Sequence, residues 1–267
     1  MNNDNFISIM TERIVRDFDP LQIILFGSQA RGDADPDSDI DLLVVFAELS
    51  DKRKTAVDIL RTLADLPVAK DILVSTPEEL ERHRTRIGSV LRYAQQEGKI
   101  LCGKDLHTSV GGSTEHRVLP NGEEEYSMQV NDRFQSTSRW LHYAEEDLIT
   151  AETFLRHPHV PPRQCCWFAQ QAAEKVLKAV LIFLEIDFPR THDLNILRNL
   201  VPDGWHLKTA HPDLSDLTRW AAESRYPEDV PETTNADASE AVEQARGVWT
   251  SASTELAKHG YDVKEDL

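Results

Sequence analysis

The sequence predicts an α+β domain built on a small mixed sheet, followed by an all-α helical bundle. Three observations predict it. In the first part, short apolar runs alternate with segments whose apolar residues recur at helical spacing. The composition then changes over 104–131, and long segments with apolar residues at helical spacing follow. We therefore expect domains at 1–105 and 133–260, with 106–132 as a linker or surface excursion. A chain of 267 residues has room for about two domains of ordinary size.

The elements of the first domain alternate between helix and strand. Apolar residues at helical spacing predict a helix over 6–18. Ser50 is a candidate N-cap for a second helix through Leu63. A third helix is predicted from Thr76 to about Glu97, because a proline and two acidic residues follow the threonine. Strand-like runs occupy Leu21–Phe26, Ile40–Phe46, Asp71–Ser75 and Lys99–Cys102.

The second half has apolar residues at three- and four-residue steps, which predict an up-and-down bundle. Long helices are expected over 133–155, 164–186 and 236–259, with short ones starting at His192 and over 213–224. The helix at 164–186 is apolar over a wide arc. Surplus apolar surface of this kind predicts a homo-oligomer, most simply a dimer, through the helical half. The alternative is that other parts of the same chain cover this face.

Charge and cysteine content restrict the partners and the compartment. The net charge is −17; through Asp105 there are 14 Lys and Arg against 19 Asp and Glu, or −5, and the remainder carries −12. Nucleic acid is therefore not an expected partner, whereas small cationic acceptors would be attracted.

Three cysteines form no disulfide or zinc pattern, and we find neither a membrane-length apolar run nor a signal peptide. We expect a cytoplasmic protein without a membrane partner.

The pattern most informative about chemistry is Gly27-Ser28 followed by Asp39-Ile40-Asp41, with an apolar strand-like run on each side. Side chains at i and i+2 of a strand point the same way, so Asp39 and Asp41 can face one point. Two carboxylates repel there unless a cation such as Mg²⁺ lies between them. The small residues predict a turn at Gly27-Ser28, where glycine lets the backbone approach a phosphate and Ser28 adds a hydroxyl. The pattern favours transfer of a phosphate-bearing group from a nucleotide, the alternative being a solvated acidic loop.

The segment GSQARGDADPDSDIDLLVV resembles the minimal nucleotidyltransferases of the DNA polymerase β superfamily. The resemblance implies that Asp39, Asp41 and Asp71 are the catalytic carboxylates. Asp39 and Asp41 would bind the metal ions, and Asp71, on a later strand, would help to hold the catalytic metal and activate the acceptor. It also implies two Mg²⁺ ions as cofactors and ATP or another nucleoside triphosphate as substrate. Gly27, Ser28 and Arg31 are expected to bind the nucleotide.

The second half resembles the HEPN domain in WFAQQAAEKVLKAVLIFLEIDFPRTHDL and RWAAESRYPED. Some HEPN domains are ribonucleases that use an arginine and a histidine separated by four to six residues. His192 is the candidate histidine here, but 185–187 hold Glu, Ile and Asp. We therefore expect no ribonuclease activity, and we expect His192 to lie at the start of a helix.

These resemblances imply an Mg-dependent nucleotidyltransferase. It would move a nucleoside monophosphate, with AMP the expected group, to an acceptor hydroxyl and release pyrophosphate. A protein acceptor, as in toxin–antitoxin systems, is the first expectation. The alternatives are an aminoglycoside-type antibiotic adenylyltransferase and a non-catalytic nucleotide-binding regulatory protein.

Overall fold

The chain divides into two units, Met1–Pro120 and Asn121–Leu267. The computed structural model describes residues 3–34, 38–103, 122–223 and 232–261, with side chains from 132 onward in the helix that starts the second unit. Of the predicted linker at 106–132, the part up to 121 lies outside the described residues, and the remainder is helical. The domain limits at 1–105 and 133–260 stay a prediction.

The first unit is a four-stranded mixed sheet with five helices in its described part. The strand order is β3-β2-β1-β4, in which β2 and β3 are parallel and the other neighbours are antiparallel. The elements are α1 (Asn3–Phe18), β1 (Gln22–Phe26), α2 (Gly27–Arg31), β2 (Ile40–Val45), α3 (Lys52–Thr62), β3 (Lys70–Ser75), α4 (Pro77–His83), α5 (Val90–Glu97) and β4 (Lys99–Gly103).

Alternate residues of β1, β2 and β3 pack into two different cores on the two faces of the sheet. One core joins Ile40 and Leu42 of β2 to residues of α1 and α3. The other joins Leu43 and Val45 to Leu80 of α4 and to residues of α5. Because side chains alternate along a strand, every residue of β2 is assigned to one face, and Asp41 shares its face with Leu43 and Val45.

The four predicted strands are confirmed to within a residue, but three local predictions for this unit are wrong. The N-cap of α3 is Asp51 rather than Ser50, and its carboxylate accepts a hydrogen bond from Lys54 N at 2.9 Å. The helix predicted from Thr76 to Glu97 is two helices, and Gly88, in the segment between them, has a positive φ of 76°. The expected turn at Gly27-Ser28 is the short helix α2.

The described part of the second unit is helical. Its elements are α6 (Gly122–Leu155), α7 (Pro162–Phe183), α8 (Leu194–Leu200), α9 (His206–Ala210), α10 (Ser215–Thr218), α11 (Trp220–Glu223) and α12 (Asn235–Lys258). The first helix begins well before the predicted residue 133, and the helix predicted over 213–224 is two short helices, with residue 224 outside the described part. The short α9 was not predicted. None of the helices in the described ranges combines the length and apolar character needed to cross a membrane.

The wide apolar arc of α7 is covered within the chain. This helix packs between α6 and α12, and most of its residues are buried, including Val176, Leu177 and Val180, which are fully so. The surplus surface from which we predicted a homo-oligomer is therefore not present on α7, and that argument is wrong. The homo-oligomer itself stays a prediction.

Candidate active site

Two of the predicted carboxylates are direct neighbours in the sheet. In the parallel pairing of β2 with β3, Asp41 is the register partner of Asp71, and on its other side Asp41 pairs with Phe26, the last residue of β1. Register partners on adjacent strands project to the same face about 5 Å apart. The pairing therefore brings Asp41 and Asp71 together at one end of the sheet, close to the start of α2.

Asp39 lies immediately before β2 and is exposed. The next residue, Ile40, is fully buried on the opposite face, and its backbone N–H donates to the carbonyl of Ala69 at 2.9 Å. Asp41 is partly exposed. The alternation expected for Asp39-Ile40-Asp41 is confirmed in its burial pattern, although Asp39 itself precedes the strand.

Gly27 allows close contact between α2 and Asp41. A Cβ atom at this position would lie 2.0 Å from Asp41 Oδ2, and the φ of Gly27 is 73°, a conformation that other residues rarely adopt. Any side chain here would displace the carboxylate of Asp41. The glycine therefore places the backbone that begins α2, followed by the partly exposed Ser28, against this carboxylate.

Arg31, at the end of α2, is held by two carboxylates. Its Nη1 lies 3.1 Å from Glu97 Oε2, and its Nε lies 3.2 Å from Asp33 Oδ2. Burial acts to lower the pKa of Arg31, but these two hydrogen bonds raise it. All three groups are partly exposed, so each ion pair contributes little to stability. Glu97 was not predicted as a neighbour, because a partner this distant in the chain leaves no local pattern in the sequence.

The side chains of the three predicted metal carboxylates do not form a single ready-made metal site. Among the described residues, no group of three or more His, Cys, Asp or Glu side chains is arranged to hold a metal ion. The donor set nevertheless suits a hard cation, because Asp39, Asp41 and Asp71 offer carboxylate oxygens and Asp41 and Asp71 are register partners on adjacent strands. These residues fit Mg²⁺ by donor chemistry, and its binding remains a proposal.

Two family models match the chain, one in each half. A model described as nucleotidyltransferase domain matches residues 7–101, and a model described as HEPN domain matches residues 137–255. The chain joins a nucleotidyltransferase domain to a HEPN domain. A protein of Methanocaldococcus jannaschii (strain ATCC 43067 / DSM 2661 / JAL-1 / JCM 10045 / NBRC 100440) named "Putative toxin MJ1304" is 31% identical over 137 residues, covering 46% of this chain and 88% of that protein.

The HEPN domain contains a polar cluster that the sequence did not predict. Glu174 is almost fully buried on α7, and its carboxylate accepts hydrogen bonds from Gln170 Nε2 at 2.9 Å and Lys178 Nζ at 2.8 Å. His192 Nδ1 lies 3.0 Å from Glu174 Oε2. Burial alone would raise the pKa of Glu174, but the hydrogen bond from His192 and the charge of Lys178 lower it to about 2. The only signal in the sequence was an acidic residue on an apolar helix with a lysine four residues later.

His192 connects this cluster to the start of α8. The following residue, Asp193, is the N-cap of α8, and its Oδ1 accepts from the backbone N–H groups of Asn195 and Ile196 at 2.8 and 3.1 Å. The expected place of His192 at a helix start is therefore confirmed. Because a carboxylate only accepts, His192 Nδ1 carries the hydrogen that faces Glu174. The absence of ribonuclease activity stays a prediction.

Proposed function

We propose that the nucleotidyltransferase domain transfers a nucleoside monophosphate, with AMP the expected group, from a nucleoside triphosphate to an acceptor hydroxyl. Pyrophosphate is the second product. The observation that carries this proposal is the pairing of Asp41 with Asp71 beside the backbone of Gly27, which joins two carboxylates to a segment suited to phosphate. The family match to residues 7–101 supports the same reaction class.

In this proposal Asp39 and Asp41 hold Mg²⁺, and Asp71 completes the site from the neighbouring strand. Bound Mg²⁺ would supply charge neutralisation for the triphosphate and would lower the pKa of the acceptor hydroxyl. Asp71 is exposed at its register position, so its carboxylate is accessible to an acceptor hydroxyl and can take part in removing its proton. Ile40 anchors the segment between the two metal carboxylates in the core.

The phosphates would lie along α2. The backbone at Gly27 and the hydroxyl of Ser28 would contact phosphate oxygens, and Arg31 would pair with their charge. The present ion pairs of Arg31 with Glu97 and Asp33 are partly exposed. Exchanging them for a phosphate group therefore costs little.

A protein hydroxyl is the acceptor we favour. A relative bears the name "Putative toxin MJ1304", and the transferase would then modify a partner or target protein of a toxin–antitoxin pair. A small cationic acceptor is the second candidate, supported by the charge of −12 carried after Asp105, where 15 Lys and Arg face 27 Asp and Glu. Free thiols at Cys102, Cys165 and Cys166 are consistent with a reaction in the cytoplasm.

The test is incubation of the purified protein with ATP, GTP, CTP or UTP labelled at the α-phosphate, together with Mg²⁺ and cell lysate. We expect label in a protein band, strongest with ATP. Label in a small cationic product would establish the second candidate instead. No labelled product with any nucleotide would contradict transfer and leave a nucleotide-binding regulatory role.

A further inference from the structure

The side chain of Gln29 joins the two segments that form the candidate active site. Its Nε2 donates to the backbone carbonyl of Ser38 at 3.3 Å. Gln29 is a half-buried residue of α2, and Ser38 directly precedes Asp39. A single amide therefore links the helix that begins at Gly27 to the residue that leads into the first metal carboxylate.

This hydrogen bond acts on Asp39 through the backbone. The carbonyl of Ser38 belongs to the planar peptide group that contains the nitrogen of Asp39, so fixing the carbonyl also fixes that peptide. On the other side, Ile40 N–H donates to Ala69 O at 2.9 Å. Asp39 is thus restrained on both sides by different parts of the domain, although its own side chain is exposed.

Asp39 and Asp41 differ in how their positions are set. Asp41 lies within β2, between two paired strands, and contacts the backbone at Gly27. Asp39 precedes the strand, so strand pairing does not hold it. Two carboxylates that face one cation repel each other before it binds, and metal ligands must be held to within about 0.5 Å of their working positions.

We propose that Gln29 is a positioning residue of the metal site, which holds Asp39 beside Asp41 through the carbonyl of Ser38. The inference rests on the proposed function, which assigns the metal to these two carboxylates. Gln29 does not touch the metal or the nucleotide in this account. Its loss would weaken metal binding and leave the chemistry of the bound complex nearly intact.

The test compares Gln29→Met with Gln95→Met in the full-length protein. Methionine has a similar length and no amide donor, and it adds no charge near the carboxylates. Gln95 is a matched control because its Nε2 also donates to backbone carbonyls, those of Leu80 and Leu91, both at 3.1 Å, in the same domain. Mn²⁺ affinity is measured by electron paramagnetic resonance with α,β-methylene ATP, which binds without transfer.

We expect Gln29→Met to weaken Mn²⁺ binding about tenfold, which is the lower end of the range for residues that orient metal ligands. Gln95→Met should change Mn²⁺ affinity less than about twofold. In the transfer assay, the Mg²⁺ concentration for half-maximal rate rises by a similar factor. The rate at saturating Mg²⁺ stays within about threefold of the wild type. Thermal unfolding verifies that both variants are folded; should Gln29→Met not fold, Gln29→Leu also removes the donor and adds no charge.

Equal Mn²⁺ affinity in the wild type and the folded Gln29 variant would overturn this inference alone. So would an equal loss in both glutamine variants, because that outcome indicates general loosening of the domain. Wild-type Mn²⁺ binding that survives in Asp39→Asn with Asp41→Asn would overturn the metal assignment, and the inference with it.

Discussion

The two domains use carboxylates in opposite ways. At the end of the sheet, Asp39 and Asp71 are exposed and Asp41 is partly exposed. In the HEPN domain, the side chain of Glu174 is only 7% exposed and takes hydrogen bonds from three other side chains. The same chemical group is thus left accessible to a ligand in one domain and is part of the packed core in the other.

The difference teaches that the surroundings of a carboxylate indicate its role better than its sequence pattern does. A buried carboxylate with cationic partners stabilises the fold only while all its partners are present. Exposed carboxylates placed side by side repel, so removing their charge costs the fold little. Substitutions in the two regions should therefore affect different measurements.

The largest effect is expected from Asp39→Asn combined with Asp41→Asn. Transfer should fall by roughly a thousandfold or more, since each lost ligand removes several kcal/mol of transition-state stabilisation. The free energy of unfolding should change by less than about 1 kcal/mol, because the repulsion between the two charges also disappears. Single-turnover transfer and urea unfolding measure the two quantities. Asp58→Asn is the control: Asp58 lies on α3, and its partly exposed carboxylate pairs with Arg61, so this variant should change neither quantity. Normal transfer by the double variant would refute the site.

Gly27→Ala should reduce transfer by about a hundredfold and stability by about 1–3 kcal/mol, because the new methyl group collides with Asp41 and the φ of 73° is strained. Gly32→Ala is the matched control. Gly32 also has a positive φ, 85°, but a Cβ atom there would meet no other described atom within 4 Å. Gly32→Ala therefore strains the backbone in the same way but places no methyl group against a neighbouring side chain. If both variants lose the same activity, contact with Asp41 is not the reason for glycine at position 27.

Glu174→Gln should lower the free energy of unfolding of the HEPN domain by about 3 kcal/mol at pH 7, because Lys178 is left buried without its carboxylate partner. Urea unfolding followed by far-UV circular dichroism measures the change. Glu146→Gln on α6 is the control, since the side chains of Glu146 and its partner His142 are both at least half exposed. The control should change stability by less than about 0.5 kcal/mol. If Glu174→Gln and Glu146→Gln lower the free energy of unfolding equally, the burial of Glu174 is not what makes its carboxylate important for stability.

The stabilisation by Glu174 should also depend on pH. Its folded pKa of about 2 lies below the ordinary value of 4.5, so its contribution is present above pH 4.5 and is lost as the pH falls toward 2. The stability difference between the wild type and Glu174→Gln should therefore shrink from about 3 kcal/mol at pH 6 to near zero at pH 2. Unfolding curves across this range measure it. A difference that stays constant would mean that the charge of Glu174 does not stabilise the fold.

The sequence predicted features that depend on neighbouring residues. The strands, the cap and proline at Thr76-Pro77, and the buried Ile40 between two acidic residues all follow from short-range patterns. The pairing of Asp41 with Asp71 depends on parallel strands that are distant in the chain, and only the family resemblance indicated it. The covering of α7 within the chain was only the alternative expectation, and the partners of Glu174 were missed, because tertiary packing decides which helix faces meet.

The central claim is that the bond broken in the nucleotide is the one between its α- and β-phosphates. The most direct measurement incubates the protein, Mg²⁺ and lysate with ATP labelled either at the α- or at the γ-phosphate. The account predicts that α-label appears on the acceptor while γ-label appears only in pyrophosphate. Transfer of γ-label to the acceptor would contradict it, since the protein would then move a phosphoryl group rather than a nucleotide.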